Sequence, residues 1–545
     1  MSRNRPRFSQ VVHRIPPGSR PPRKRGAEGS PLRAFAGFVI IVVVAGLAVY
    51  GLTRPASPAV ETALPPGVLT LAVTALPSET PGAAEPVATP TPEPPEPTST
   101  FLPPSPSPTA ILTAQPTQMY LTRSGDTLPA LAARFGVNPA DIAAPQGLRG
   151  QTTLAAGQAL FIPRVLGEVG PDYKILPDSE VVFSAGGAGF EPQAFARQYG
   201  GYLAAYEGYA DRRSLAGGDL TRVIAEHHSV NPRLLVALIE YQSSWLTNPS
   251  PTGEALKYPL GYVHEYRHNL YSQLNWAANQ LETGYYGWRA GTLTEVAFRD
   301  GSTLRLDPAL NAGTAALQYF FSLTERDRAE WEQAVGREGF AAAYRALFGD
   351  PFARAVELIP ADLTQPPLEL PFLPGHTWYY SGGPHGAWQH GGALAALDFA
   401  PASEAGGCAE SPELVTAVAP GKIVRANDGS VVLDLDGDGR EETGWAIFYL
   451  HIAERERVRA GTFVETGDFI GHPSCEGGSA TGTHVHLARK YNGEWIPAGG
   501  LVPFNLSGWI AGQGAGEYLG TLSRDGVTIQ ACTCTSAAQA IRADP

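Results

Sequence analysis

From the amino terminus, the first strong hydrophobic signal is an apolar run at 34–53 that contains no charged residue. In a helix, at ~1.5 Å per residue, it matches a bilayer core of about 30 Å, so it predicts a single membrane-spanning helix rather than a shorter secretory segment. Residues 54–117 lose all periodicity and fill with Pro, Thr, Ser, Ala and Glu, the composition of an extended stalk. Over 118–164 a short apolar element precedes a Gly-Asp turn and an amphipathic run on Leu128, Leu131, Ala132 and Phe135. A second short helical run at 139–143 and an apolar element at 158–163 complete a β-α-α-β pattern. Amphipathic stretches at 219–228, 233–245, 270–283 and 310–323 predict a mainly helical region over 165–365, with Asn231-Pro232 as a helix start. From Pro366 the pattern shifts to short β-branched, Gly-bounded segments at 414–418, 421–425, 431–435 and 447–450. These predict a sheet-rich domain over 366–512 and leave 513–545 as a tail.

The 545 residues exceed what one core usually serves, so a multidomain chain is expected. Its net charge of −12 is unevenly spread: residues 1–33 carry nine Arg or Lys against Glu28 alone, a surplus of eight, which leaves −20 for the rest. The basic arm stays cytoplasmic by the positive-inside rule, and the bulk of the chain then lies outside the membrane. So acidic a remainder excludes a nucleic-acid binder. Four cysteines are too few for a disulfide scaffold but permit one or two bridges in an oxidising compartment.

Candidate chemistry concentrates in the sheet-rich domain. His385 follows Gly382-Gly383-Pro384, Asp398 comes after twelve intervening residues, His451 ends the strand Phe448-Tyr449-Leu450, and His484 and His486 form a His-x-His pair. In a strand, residues i and i+2 face one side, so His484 and His486 project together, a spacing that suits a metal. Asp434, Asp436 and Asp438 have the opening of a calcium loop. Its twelfth position is Trp445 and strands flank it, so the reading is a β-hairpin tip, with Ca2+ as the alternative. Cys408 and Cys475 flank the sheet and are expected to be bonded; Cys532 and Cys534 are not placed by the sequence.

Three resemblances follow from these residues. Ser124-Gly125-Asp126-Thr127-Leu128, the run 131–137 and the run 156–163 resemble a LysM module, which implies binding to the glycan of peptidoglycan or chitin. The stretch 230–245 resembles the catalytic helix of lysozyme-like lytic transglycosylases. That family's acid would fall on Gln242, an amide with no acidic proton, so the resemblance implies an inactive glycan-binding or scaffolding domain. The histidine stretches are similar to the LytM or lysostaphin-like peptidases of family M23, whose domain is mainly antiparallel β. That likeness implies one Zn2+ held by His385, Asp398 and His486, with His390 as the alternative first ligand, and His451 and His484 as the catalytic pair. It implies a membrane-anchored zinc endopeptidase acting on peptidoglycan cross-links; the alternative is a non-catalytic regulator that recruits or activates another wall hydrolase. The bond cleaved and any protein partners are not legible.

Overall fold

The computed structural model describes residues 116–147, 153–402 and 406–544. The basic arm, the apolar run at 34–53 and the stalk up to residue 115 lie outside the described residues. Among the described residues no helix is long and apolar enough to cross a membrane.

The first module pairs strand β1 (Thr117–Leu121) antiparallel with β2 (Ala159–Pro163), Tyr120 lying opposite Leu160. Between them, helix α1 (Leu128–Phe135) starts at Thr127, whose hydroxyl accepts from the Ala130 N–H, and stops at Gly136 in the left-handed region. The second helix expected at 139–143 is instead a single 3₁₀ turn, Pro139–Asp141. Ile142 returns to extended backbone and Ala143 bridges to Phe161, so the sheet edge takes up residues that a longer helix would need.

The helical region contains a hairpin, β3 (Glu207–Ala210) and β4 (Arg213–Ala216), and four principal helices: α2 (Gly217–His228), α3 (Pro232–Ser243), α4 (Leu270–Ala290) and α5 (Ala312–Thr324). The Asn231 side chain caps α3 by accepting from the Arg233 N–H. Leu234 to Ile239 are all fully buried, so α3 is enclosed by its neighbours on every side along that stretch.

A nine-stranded antiparallel sheet follows. Its strands are β5 (Thr377–His385), β6 (Ala396–Pro401), β7 (Gly421–Asn427), β8 (Ser430–Asp434), β9 (Trp445–Leu450), β10 (Phe463–Val464), β11 (Val485–Tyr491), β12 (Glu494–Trp495) and β13 (Ala540–Arg542). The spatial order is β10-β7-β8-β9-β11-β6-β5-β13, with β12 beside β11. Strand alternation sorts its two faces. Val431, Leu433, Ile447, Tyr449 and Leu487 close one core with Leu522, Ile529 and Ile541. Val432, Phe448, Leu450 and Ala488 face the other way and share a core with the helices.

The expected tail from residue 513 is therefore, up to Asp544, not separate from the sheet domain. β13 pairs with β5, Gly520–Arg524 and Val527–Gln530 belong to a four-stranded sheet, and Leu522, Ile529 and Ile541 sit in the core under the nine-stranded sheet. Short strands punctuated by glycine carry little periodicity of their own; burial against the larger sheet decides their place.

The seam between helices and sheet is also polar. Glu441 pairs with Arg425 at 2.8 Å and with Lys490 at 2.8 Å, while Arg289 pairs with Glu494 at 3.0 Å, all deeply buried. Removing one partner from such a group leaves an uncompensated charge, at a cost of about 3–5 kcal/mol.

Candidate metal centre

The register of three strands builds the site. Leu450 lies opposite His486 and His486 opposite Asp398, while β5 ends at His385 beside β6. His385 Nε2 and His486 Nδ1 each lie 3.3 Å from Asp398 Oδ1 and 3.0 Å from one another, and all three residues are buried. Gly382 permits this closeness: a Cβ there would stand 2.3 Å from Asp398 Oδ2.

Backbone carbonyls set the tautomers. His385 Nδ1–H donates to Gly383 O at 2.8 Å and His486 Nε2–H to Ala387 O at 3.0 Å, so the remaining ring nitrogens turn lone pairs inward. Asp398 Oδ1 is buried without a hydrogen-bond partner, which leaves an anionic oxygen and two imidazole lone pairs facing one point. Burial alone would push the Asp398 carboxyl up, but the His385 and His484 rings hold it well below the usual range. Burial pulls His385 down, and the Asp398 carboxylate more than offsets this. The spot calls for positive charge, and two nitrogens with one carboxylate oxygen suit zinc.

His451 and His484 stand beside this cluster, ring centroids 4.5 Å apart. His451 follows β9 with a left-handed φ of +64°, and its Nδ1–H donates to Glu476 O at 3.0 Å. His484 Nδ1–H donates to Gly482 O at 2.7 Å, and its Nε2 lies 3.6 Å from Asp398 Oδ1. Burial, then the neighbouring His484 and His486, push His451 down to about 3, so its Nε2 carries a lone pair at neutral pH.

The structure brings His385 into the cluster and leaves His390 out: the His390 side chain is 81% exposed and bonds Glu517 at 2.7 Å. Cys408 and Cys475 are bonded, with Cα atoms 5.6 Å apart, next to the Glu476 carbonyl that orients His451. Cys532 and Cys534 also pair with each other. Asp434, Asp436 and Asp438 cluster in the hairpin joining β8 and β9. Asp434 accepts from the N–H groups of Asp436, Gly437 and Gly439, and Asp438 from Arg440, which is turn chemistry and gives calcium no further support.

Two contributors carry no sequence signal. The Tyr518 ring stacks on His385 at 4.2 Å, and Trp388, in the loop between two ligands, stacks on His227 of α2 at 3.9 Å. Both depend on packing between distant segments.

Comparison with known families decides the wider relationship. Residues 120–163 match the LysM domain, and residues 174–362 match the LasA N-terminal domain. Protease LasA of Pseudomonas aeruginosa strain UCBPP-PA14 is 29% identical over 290 residues, half of this chain and 65% of the relative. The chain is thus similar to protease LasA and carries a match to the LysM domain. LasA of strain PAO1 is 28% identical over 292 residues, again 65% of its length, so the chain spans just under two thirds of these curated relatives. Among solved structures, the M23 metalloprotease pseudoalterin from the deep sea is 25% identical, with TM-score 0.26, covering 31% of this chain and 96% of that one. The catalytic domain of the peptidase lysostaphin from Staphylococcus simulans is 24% identical, with TM-score 0.17, covering 23% and 89%.

Residues 174–362 of the helical region thus resemble the LasA N-terminal domain, and the transglycosylase resemblance rests on α3 alone. Gln242 there donates to Glu325 Oε1 at 3.1 Å, while Glu240 accepts from Leu246 N–H at 3.0 Å and from the Thr247 hydroxyl at 2.7 Å. Glu240 thus ties down the turn that follows α3.

Proposed function

We propose that this chain is a zinc endopeptidase that cleaves peptide cross-links of bacterial peptidoglycan, held on the wall by its LysM module and on the membrane by the 34–53 helix. The carrying observation is the unpartnered, buried Asp398 Oδ1 with two inward imidazole nitrogens 3.3 Å away. His385 Nε2, Asp398 Oδ1 and His486 Nδ1 would hold the zinc. When bound, it supplies Lewis acidity toward the scissile carbonyl and toward water. His451, whose Nδ1–H is held by the Glu476 carbonyl, offers Nε2 as a hydrogen-bond acceptor that would orient the water, and His484, the more exposed of the pair, would steady charge developing on the carbonyl oxygen. The substrate class comes from the likeness to LasA and M23 proteins, and glycan affinity from the LysM match. A bonded Cys408–Cys475 pair suits an extracytoplasmic position.

The regulator reading is disfavoured by the complete ligand set. The test is zinc content and release of soluble muropeptides by the full chain and its variants. One zinc per chain with peptide-bond cleavage is expected, both lost in His385→Ala and His486→Ala and both kept in His390→Ala. A zinc-loaded chain inert on every cross-link type would establish the regulator instead.

A further inference from the structure

Cys532 and Cys534 have no place in the sequence pattern, and the proposed reaction does not use them. They bond to each other across the single residue Thr533. The other bridge, Cys408–Cys475, joins segments 67 positions apart. Exposure does not separate the two bonds, since Cys408 is exposed and Cys475, Cys532 and Cys534 are all half-buried. What separates them is what each bond holds. Cys408–Cys475 closes a long loop, and a bond that stabilises the fold is harder to reduce by that same stabilisation. Cys532–Cys534 ties together two residues that the backbone already keeps adjacent, the Cys534 N–H donating to Cys532 O at 2.6 Å. Its flanks are anchored without it. The Ala531 N–H donates to Gly520 O at 2.8 Å, Gln539 Nε2 donates to Gln530 O at 3.2 Å, and β13 pairs with β5. Ile529 before the pair and Ile541 after it both sit in the core.

The reduced pair also has a partner in place. Gln539, only 9% exposed, holds its Oε1 3.4 Å from Cys534 Sγ. A thiol at Cys534 can donate to that oxygen, whereas a sulfur in a disulfide has no hydrogen to give. We propose that Cys532–Cys534 is a thiol–disulfide exchange site whose co-substrate is a small dithiol. A thiolate of the dithiol attacks Cys532 Sγ. The S–S bond breaks and its electron pair leaves on Cys534, which takes a proton and donates to Gln539 Oε1. The second thiol of the reagent, deprotonated, then attacks the reagent's own sulfur in the mixed disulfide. A cyclic disulfide departs, and Cys532 keeps the electron pair and is protonated. The dithiol is oxidised, the cysteine pair is reduced, and the two protons of the dithiol end on the two cysteines. No step passes through the metal centre, so the assignment stands whether or not the chain is a peptidase.

Graded dithiothreitol on the native full chain, followed by iodoacetamide and mass mapping of the peptides, tests this. Cys532 and Cys534 should alkylate at a dithiothreitol concentration at least tenfold below that needed for Cys408 and Cys475, and the selectively reduced chain should melt as the oxidised chain does. Glutathione in place of dithiothreitol, quenched with acid, should leave its adduct on Cys532 in preference to Cys534. Reduction of both bridges together, reduction of Cys408–Cys475 first, alkylation of Cys532 and Cys534 with no reductant present, or a lower melting temperature after selective reduction would overturn the proposal. A glutathione adduct mainly on Cys534 would overturn the order of attack.

Discussion

Gly382 shows how one missing side chain sets the metal centre. A methyl group there would stand 2.3 Å from Asp398 Oδ2 and 2.9 Å from its Cβ and Cγ, so Gly382→Ala must displace the ligand. Zinc affinity should fall at least tenfold, measured by competition with a chelator, whereas Gly167→Ala, with nothing within 4 Å of the new Cβ, should leave it unchanged. Asp211, on the left-handed turn joining β3 and β4, is a second informative residue. Burial, then the neighbouring Asp428, push its carboxyl up to about 7 from an ordinary 3.8. The folded chain therefore keeps a proton there that the unfolded chain has lost, and its contribution to stability declines as pH rises from about 4 to about 7, then levels off. Asp211→Asn should melt higher than the parent at pH 8 and show a smaller loss of melting temperature between pH 5 and pH 8. At this scale the His-x-His spacing paired His484 with His486, whereas Asp398 followed only from the resemblance to M23 peptidases. The sequence left His385 and His390 both open, because two histidines five apart look alike until one is seen facing a carboxylate and the other facing solvent.

Among the elements, the Cys408–Cys475 bridge closes a long loop carrying β7, β8, β9 and β10. In the chain-entropy model a loop of that length contributes about 4 kcal/mol, and a Cys408→Ser/Cys475→Ser variant should lose that order of stability in urea unfolding. Elements with strong periodicity were readable: α2, α3 and α5 fall within a few residues of their apolar patterns, and α4 runs on to Ala290. Weak elements were not. The 3₁₀ turn at Pro139–Asp141 replaces an expected helix, and the strands after residue 513 carry too few apolar positions to announce themselves.

Over the whole molecule, the face of the sheet that carries the candidate metal site is the one packed under the helices: Phe448, Leu450 and Ala488 share their core with α3 and α4, and His486 sits two residues from Ala488 on that face. The loop between His385 and Asp398 is held from the helical side, by Trp388 on His227 and by Gln389 Nε2 donating to Asn275 Oδ1 at 3.1 Å. That loop carries the Ala387 carbonyl that orients His486. Trp388→Ala should therefore lower zinc affinity about 10–100-fold with only a modest loss of stability, a split that separates orientation of the ligand from simple unfolding. By itself the sequence determined the order of modules, the classes of fold and the residue types of the metal centre, because periodicity, glycine turns and His-x-His spacing are local properties written into short stretches. Only the tertiary structure decided which histidine completes the centre and that the last residues belong to the sheet. Each of those depends on contacts between segments far apart in the chain, where burial and charge are set by neighbours that no local pattern names.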